Sequence, residues 1–244
     1  MTKGFLIFAQ NNNTTDYIRQ AEFLKSSIEK HCKVNNVKIV SEFDNDLAKD
    51  STWKIENRWK SYELSPYDET IVLDADMLCT SNIDYLWNCN EDVSFTTQVL
   101  TYRNQLVTSN YYRKTFVSNN LPNIYSALYY FKKTQAAKEF FNLFELICNN
   151  WEIFYKKFAP INQQKWASID VSAAIASKIL NLKNDNNFKF VHMKPYVQHW
   201  QEVPDKWTSV LPVSYKDELF IGNFKQRGLF HYVEDEFLDV LRLL

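Results

Sequence analysis

The sequence predicts an α/β fold in which a mostly parallel central sheet is flanked by helices, with a small mixed portion at the C-terminal end. Three observations support this prediction. The chain has 244 residues, enough for one domain of ordinary size. Strand and helix patterns alternate over residues 4–73, as they do in folds built from β-α-β units. Beyond this region the alternation loosens, and no repeat or linker divides the chain. We therefore expect a single domain over residues 1–244.

The first half combines short apolar runs, typical of buried strands, with stretches of helical periodicity. The first helix is indicated by Tyr17, Ala21, Leu24 and Ile28, which recur at helical spacing before a basic C-terminal end. Strands are predicted at residues 4–9, 37–40 and 70–73, and helices at residues 17–31 and 51–62.

The second half is less regular. A long amphipathic helix is predicted at residues 137–151, and Phe237, Val240, Leu241 and Leu244 indicate a closing helix. The other predicted elements are a helical turn at 83–87, strands at 93–99, 124–131 and 188–191, a polar loop at 100–120, a helix at 169–182, and short strands and turns at 196–232.

Composition narrows the range of functions. The chain is 45% hydrophobic, which excludes intrinsic disorder, and its net charge of −1 gives no strong field for nucleic acid or an anionic membrane. The chain has only three glycines, which argues against a glycine-rich phosphate loop. Neither the G-x-x-x-x-G-K nor the G-x-G-x-x-G motif is present. The four scattered cysteines indicate reduced thiols. No apolar stretch reaches the ~20 residues of a membrane span, and the start does not resemble a signal peptide, so we expect a cytoplasmic protein.

Two acidic residues follow the third strand in the segment Ile71-Val-Leu-Asp74-Ala-Asp76. Because side chains alternate along a strand, we expect Asp74 and Asp76 to point to one side and Ala75 to the other. The C-terminal ends of parallel strands open into the ligand crevice, and two carboxylates there repel each other unless a cation compensates. A divalent ion bound to Asp74 and Asp76 is the simplest explanation. The same spacing in Asp44-Asn-Asp46 follows polar residues, which predicts a solvated loop.

Two segments together resemble a known family. Phe5-Leu-Ile-Phe-Ala followed by the helix from Tyr17 to His31, and Thr70-Ile-Val-Leu-Asp-Ala-Asp-Met-Leu-Cys-Thr-Ser-Asn-Ile-Asp84, are similar to glycosyltransferase family 8 and its GT-A-fold relatives. The resemblance implies a GT-A-like, Rossmann-like fold and a nucleotide-sugar donor, with a UDP-sugar first among them. It also implies a Mn²⁺ or Mg²⁺ ion on the donor diphosphate and transfer of the sugar to an acceptor hydroxyl. Residues 1–99 would then bind the donor, and residues 100–244 would form the acceptor side.

The resemblance also assigns residues of the first half to the donor. Phe8, Gln10, Asn11 and Tyr17 match positions that line the nucleobase and ribose, and Asp74-Ala75-Asp76 is the metal and donor segment. Arg58 stands where the family often has a basic residue that reaches the donor phosphate or sugar. Two alternatives stay open, because Tyr17 could be a core aromatic and Arg58 a surface charge.

In the second half the chain departs from the family pattern. Tyr125-Ser126-Ala127 replaces Asn-Ser-Gly, and Asp170-Val171 replaces an acidic residue followed by Gln. The resemblance still assigns Ser126 and Asp170 to the catalytic site, although Asp170 could instead be an acid at a helix N-terminus. A late histidine is expected to complete the metal site. His231 is our first candidate, and His192, with Lys194 near the phosphates, is the reserve.

The acceptor and two rival functions stay open at this stage. Tyr102, Tyr111 and Tyr112 in the polar loop suit stacking on a sugar, and the acceptor could be a glycan, a protein, a lipid-linked sugar or a modified base. One rival is a GT-A domain that binds a nucleotide sugar or glycan without turnover. The other is a haloacid-dehalogenase-like phosphatase, in which the first aspartate is a nucleophile. The phosphatase motif expects Thr or Val where this chain has Leu78.

Overall fold

The computed structural model describes residues 1–41, 56–107, 113–193 and 206–243. A five-stranded sheet forms its centre, in the order β2-β1-β3-β6-β5. The strands are β1 (Lys3–Phe8), β2 (Val37–Val40), β3 (Glu69–Asp74), β5 (Val93–Thr96) and β6 (Tyr125–Lys132). β1 pairs with β2 and β3 in parallel, whereas β6 runs antiparallel to β3 and β5. The predicted α/β class, with a parallel-containing sheet between helices, is confirmed.

The side chains of β1 alternate between the two faces of this sheet, and each face is covered by helices. Phe5 and Ile7 pack in one apolar cluster with α1 (Tyr17–His31), while Leu6 and Phe8 pack in another with α4 (Gln135–Asn149) and α6 (Ile169–Ile179). Asp16, Thr134 and Ser168 cap these three helices by accepting from backbone N–H groups of the first turn.

The predicted helix at 137–151 is two helices. α4 ends at Asn149, and α5 (Trp151–Phe158) begins after Asn150, whose backbone angles are not helical. The Asn150 amide side chain donates to the carbonyl of Leu146, and this local bond gives the backbone an alternative to continuing the helix.

Other bounds also differ from the predictions. The strand at 93–99 ends at Thr96, where a register shift interrupts its pairing with β6. The strand at 188–191 is the two-residue β7 (Val191–His192), and the loop at 100–120 contains the short helix α3 (Lys114–Ser118). Of the helix expected at 51–62, residues Glu56–Lys60 form a 3₁₀ helix and α2 (Ser61–Leu64) follows it. Residues 51–55, like Asp44 and Asp46, lie outside the described residues.

The C-terminal portion contains two small sheets and a closing helix. β4 (Met77–Cys79), β11 (Leu229–His231) and β7 form one sheet, in the order β4-β11-β7. β8 (Val213–Tyr215), β9 (Leu219–Ile221) and β10 (Phe224–Lys225) form the other, and α7 (Phe237–Leu243) follows. β11 pairs antiparallel with β4 and parallel with β7, so that His231 lies opposite both Met77 and His192. This pairing brings His231 close to the C-terminal end of β3.

The cysteines and the lengths of the helices bear on where the protein can function. All four cysteines are buried and unbridged, and the sulfurs of Cys32 and Cys79 lie 3.8 Å apart. Among the helices of the described residues, none combines the length and the apolar character that a membrane crossing requires.

Candidate functional site

Asp74 and Asp76 lie at the junction of the central sheet and the small C-terminal sheet. β3 ends at Asp74, Ala75 and Asp76 form a turn, and β4 begins at Met77. The expectation that strand alternation aligns the two acids is therefore wrong, because the strand stops before Asp76. The turn nevertheless brings the carboxylates together. Ligand atoms of Asp74, Asp76 and His231 all lie within 4.8 Å of one another.

His231 reaches this cluster from β11. Its Nε2 atom lies 2.9 Å from Oδ2 of Asp76. The His231 ring also lies beside two other rings, with centroid distances of 4.7 Å to His192 and 5.7 Å to Phe190. Nδ1 of His231 is buried and has no hydrogen-bond partner among the described residues, so the contact with Asp76 and the ring packing orient this side chain. His192 is not part of the three-residue group, and the geometry thus favours His231 over His192.

The electrostatics of the cluster favour an ionised Asp76. Burial acts to raise the pKa of Asp76, but the charge and hydrogen bond of His231, together with Arg58, outweigh it and keep the pKa below its usual value. The side chains of Asp74, Asp76 and His231 are 21%, 19% and 11% exposed. The group therefore offers two carboxylates and one imidazole that are partly exposed, a donor set that fits a divalent cation such as Mn²⁺.

Arg58 is a buried component of the site and not a surface charge. It lies on the 3₁₀ helix Glu56–Lys60, its side chain is 6% exposed, and its Nη2 atom forms an ion pair with Oδ1 of Asp74. Nη1 donates to the carbonyl of Ser126 over 2.7 Å, and the guanidinium lies 5.9 Å from the centroid of the Phe8 ring. Burial lowers the pKa of Arg58 against the opposing effect of nearby negative groups.

Ser126 and Asp170 form a second polar group next to Arg58. Oδ1 of Asp170 accepts from the backbone N–H of Ser126 at 2.9 Å and from its hydroxyl at 2.5 Å. Oδ2 of Asp170 accepts from Nη1 of Arg113 at 2.7 Å. Asp170 lies in the first turn of α6, as the helix-terminus alternative expects, yet its carboxylate is turned toward β6. Both of its oxygens are engaged.

Arg113 is the residue of this site that the sequence analysis missed. Its guanidinium lies between the rings of Phe116 and Tyr125, at 4.1 and 4.0 Å from their centroids, and its Nε donates to Asn123. A further N–H donates to the carbonyl of Ile124. The segment around Arg113 has no periodicity, and its one sequence signal is an arginine directly after Tyr111 and Tyr112.

The residues assigned to the nucleobase and ribose have different environments. Phe8 is completely buried and Ala75 nearly so, and both therefore belong to the apolar core. Gln10 is partly exposed. Asn11 accepts from the N–H of Ile18 and donates to Asp16, and it therefore braces the start of α1. Tyr17 is half-buried, and burial, with smaller effects of Asp76 and Asp235, raises its pKa to about 12.

Of the remaining predicted residues, Lys194, Tyr111 and Tyr112 lie outside the described residues. Tyr102 is partly exposed and accepts a hydrogen bond from Arg103 at its hydroxyl.

The sequence matches no protein-family model and no curated protein. Among solved structures, the glycosyltransferase GlyE of Streptococcus pneumoniae TIGR4 shares 12% identity over 76% of this chain and 45% of its own, with a TM-score of 0.41. The galactosyltransferase LgtC, determined with donor and acceptor sugar analogues, shares 11% identity over 72% of this chain and 70% of its own, with a TM-score of 0.43.

The bifunctional glycosyltransferase WbbM shares 12% identity over 73% of this chain and 37% of its own, with a TM-score of 0.41. This chain thus spans less than half the length of GlyE and of WbbM.

Proposed function

We propose that this protein is a metal-dependent glycosyltransferase with a GT-A-like fold. It would transfer a sugar, as a hexosyltransferase does, from a nucleoside-diphosphate sugar, with a UDP-sugar as first candidate, to an acceptor hydroxyl. The observation that carries the proposal is the group of Asp74, Asp76 and His231, whose ligand atoms lie within 4.8 Å of one another at the end of β3. Ligand sites of α/β sheets with parallel strands lie at such C-terminal strand ends.

The donor set suits a divalent cation such as Mn²⁺. Two carboxylates and an imidazole are ligands that Mn²⁺ accepts readily, and Mg²⁺ prefers oxygen ligands alone. A divalent cation held by Asp74, Asp76 and His231 would supply Lewis-acid stabilisation of the charge that develops on the departing diphosphate.

The chain's own residues add positioning and fixed charge. Arg58 forms an ion pair with Asp74 and so places a buried positive charge next to the carboxylates of Asp74 and Asp76. Ser126 is held by Arg58 at its carbonyl and by Asp170 at its N–H and hydroxyl. Its hydroxyl oxygen can still accept a hydrogen bond from a sugar hydroxyl. Ser126 and Asp170 would therefore orient the donor sugar or the acceptor beside the diphosphate.

A second candidate is a domain that binds a nucleotide sugar without turnover. It is favoured by the engagement of both Asp170 oxygens, since a carboxylate that already accepts from Ser126 and Arg113 is a poorer base or nucleophile. The phosphatase alternative is less compatible with the site, because its nucleophile would be Asp74, which is paired with Arg58.

A donor-hydrolysis assay separates these functions. The protein is incubated with a panel of nucleoside-diphosphate sugars and Mn²⁺, and release of the nucleoside diphosphate is measured with and without EDTA. A glycosyltransferase releases it slowly from its own donor only when the metal is present. A binding domain leaves every donor intact but is stabilised by one of them in a thermal-shift experiment. A protein that neither cleaves nor binds any donor would contradict both proposals.

A further inference from the structure

We propose that Arg58 competes with the divalent cation for Asp74, so that the cation binds weakly until a nucleoside diphosphate binds with it. This inference rests on the proposed function and deepens it, because it makes the diphosphate the ligand that completes the cation site. Arg58 is then a positioning residue that couples the two ligands and prevents tight binding of the cation alone.

Arg58 contacts a carboxylate of the candidate cation site. Nη2 of Arg58 contacts Oδ1 of Asp74, which is one of the two carboxylates in the three-residue group. The positive charge of the guanidinium therefore lies against the same side chain that a cation would use.

The guanidinium of Arg58 is held in place. Its other nitrogen donates to the carbonyl of Ser126 over 2.7 Å, the Phe8 ring lies 5.9 Å from it, and its side chain is 6% exposed. Moving away from Asp74 would break the bond to Ser126 and leave the Asp74 carboxylate without its ion-pair partner. Arg58 therefore stays beside Asp74 rather than moving into solvent.

The positive charge of Arg58 weakens the attraction of the carboxylates for a cation. A like charge a few ångströms away in a partly buried site typically shifts an ionic equilibrium by about 1–3 pK units, and each unit is tenfold in affinity. The carboxylates Asp74 and Asp76 carry two negative charges, and Arg58 offsets one of them. The group with Arg58 thus has too little negative charge to hold a divalent cation tightly.

A nucleoside diphosphate supplies the negative charge that the cation site lacks. A diphosphate brings at least two negative charges and oxygen ligands, and it is attracted by both Arg58 and the cation. By thermodynamic linkage the diphosphate tightens cation binding by the same factor by which the cation tightens diphosphate binding. A neutral sugar brings no such charge.

The experiment is a Mn²⁺ titration of the whole chain, followed by the electron paramagnetic resonance signal of free Mn²⁺, with and without saturating UDP. Arg58→Gln removes the charge but keeps a donor for the Ser126 carbonyl. Arg58→Lys keeps the charge. Arg113→Gln is the matched control, because it removes a similarly buried guanidinium whose carboxylate partner, Asp170, is not in the three-residue group. Circular dichroism establishes that each variant is folded.

Without UDP, Arg58→Gln is expected to bind Mn²⁺ at least about tenfold more tightly than the wild type. Arg58→Lys is expected to stay within about threefold of the wild type, and Arg113→Gln is expected to change the Kd much less than Arg58→Gln does. UDP is expected to tighten Mn²⁺ binding to the wild type by at least about tenfold and to have a smaller effect on Arg58→Gln.

Two results would overturn the inference while leaving the proposed function intact. One is a folded Arg58→Gln variant that binds Mn²⁺ with wild-type or lower affinity while UDP still binds with Mn²⁺. The other, which needs no variant, is wild-type protein that binds Mn²⁺ equally well with and without UDP. A wild type that binds neither Mn²⁺ nor UDP under any condition would overturn the proposed function together with the inference.

Discussion

The ion pair of Arg113 and Asp170 leads to a prediction that does not depend on the proposed function. Arg113→Ala removes the partner of a carboxylate whose side chain is 27% exposed, while the arginine side chain is 12% exposed. It also empties the space between the rings of Phe116 and Tyr125. The expected result is a lower free energy of unfolding.

The magnitude follows from what remains after the substitution. Removing one partner of a buried ion pair typically costs about 3–5 kcal/mol. Asp170 is partly exposed and keeps two hydrogen bonds from Ser126, so the expected loss lies at or below the lower limit of this range, at about 2–3 kcal/mol. For a chain of this length, that corresponds to a decrease in Tm of about 4–12 °C.

The assay is urea unfolding followed by circular dichroism, with Arg19→Ala as control. Arg19 pairs with Asp239, but these side chains are 35% and 58% exposed, so this pair is expected to contribute less than about 1 kcal/mol. The reasoning is refuted if Arg113→Ala costs less than about 1 kcal/mol, or no more than Arg19→Ala does.

Three further predictions concern the acidic group and its neighbours. Asp76→Asn should remain folded but lose Mn²⁺-dependent turnover by at least about 100-fold in the donor-hydrolysis assay; wild-type activity would show that Asp76 holds no catalytic metal. In a Mn²⁺ titration in the presence of UDP, His231→Ala should weaken Mn²⁺ binding by at least about 100-fold, and His192→Ala by less than about tenfold. If His192→Ala had the larger effect, His192 would be the ligand. Tyr232 is completely buried, and its hydroxyl has no hydrogen-bond partner within the described part of the chain. Tyr232→Phe should therefore leave the free energy of unfolding unchanged or raise it by up to about 1 kcal/mol in urea, and a loss of more than about 1 kcal/mol would reveal a partner for that hydroxyl.

The parts of the fold that could be predicted from the sequence are those that local patterns determine. α1 spans the predicted residues because its periodic apolar positions, its Asp16 cap and its basic end all agree. β2 spans residues 37–40 as predicted. The antiparallel direction of β6 could not be predicted, because a buried strand has the same apolar pattern whichever way it runs.

The sequence predicted that Asp74 and Asp76 lie together at the end of β3. It did not predict the turn that brings their carboxylates together. An apolar run leading directly into Asp74 marked the end of a buried strand, which the structure contains. The turn at Ala75 and Asp76, and the β4–β11 pairing that brings His231 to Asp76, depend on contacts between residues about 155 positions apart. Such long-range contacts leave no local pattern.

The network around Asp170 was the least predictable part. Ser126 and Asp170 were named from a resemblance to a family, and their mutual hydrogen bonds come from the packing of α6 on β6. Arg113 lies in a segment with neither helical nor strand periodicity, and its partners are Asn123, Ile124 and Asp170. A single charged residue without periodic neighbours carries no sign of what it contacts.

The most direct test of the account is a crystal structure of the protein with Mn²⁺ and UDP, in which the anomalous scattering of manganese locates the ion. The account predicts one strong manganese peak bonded to Asp74, Asp76 and His231 and to the diphosphate oxygens. A manganese ion bound elsewhere, with His231 still hydrogen-bonded to Asp76 and no nucleotide at the end of β3, would contradict it.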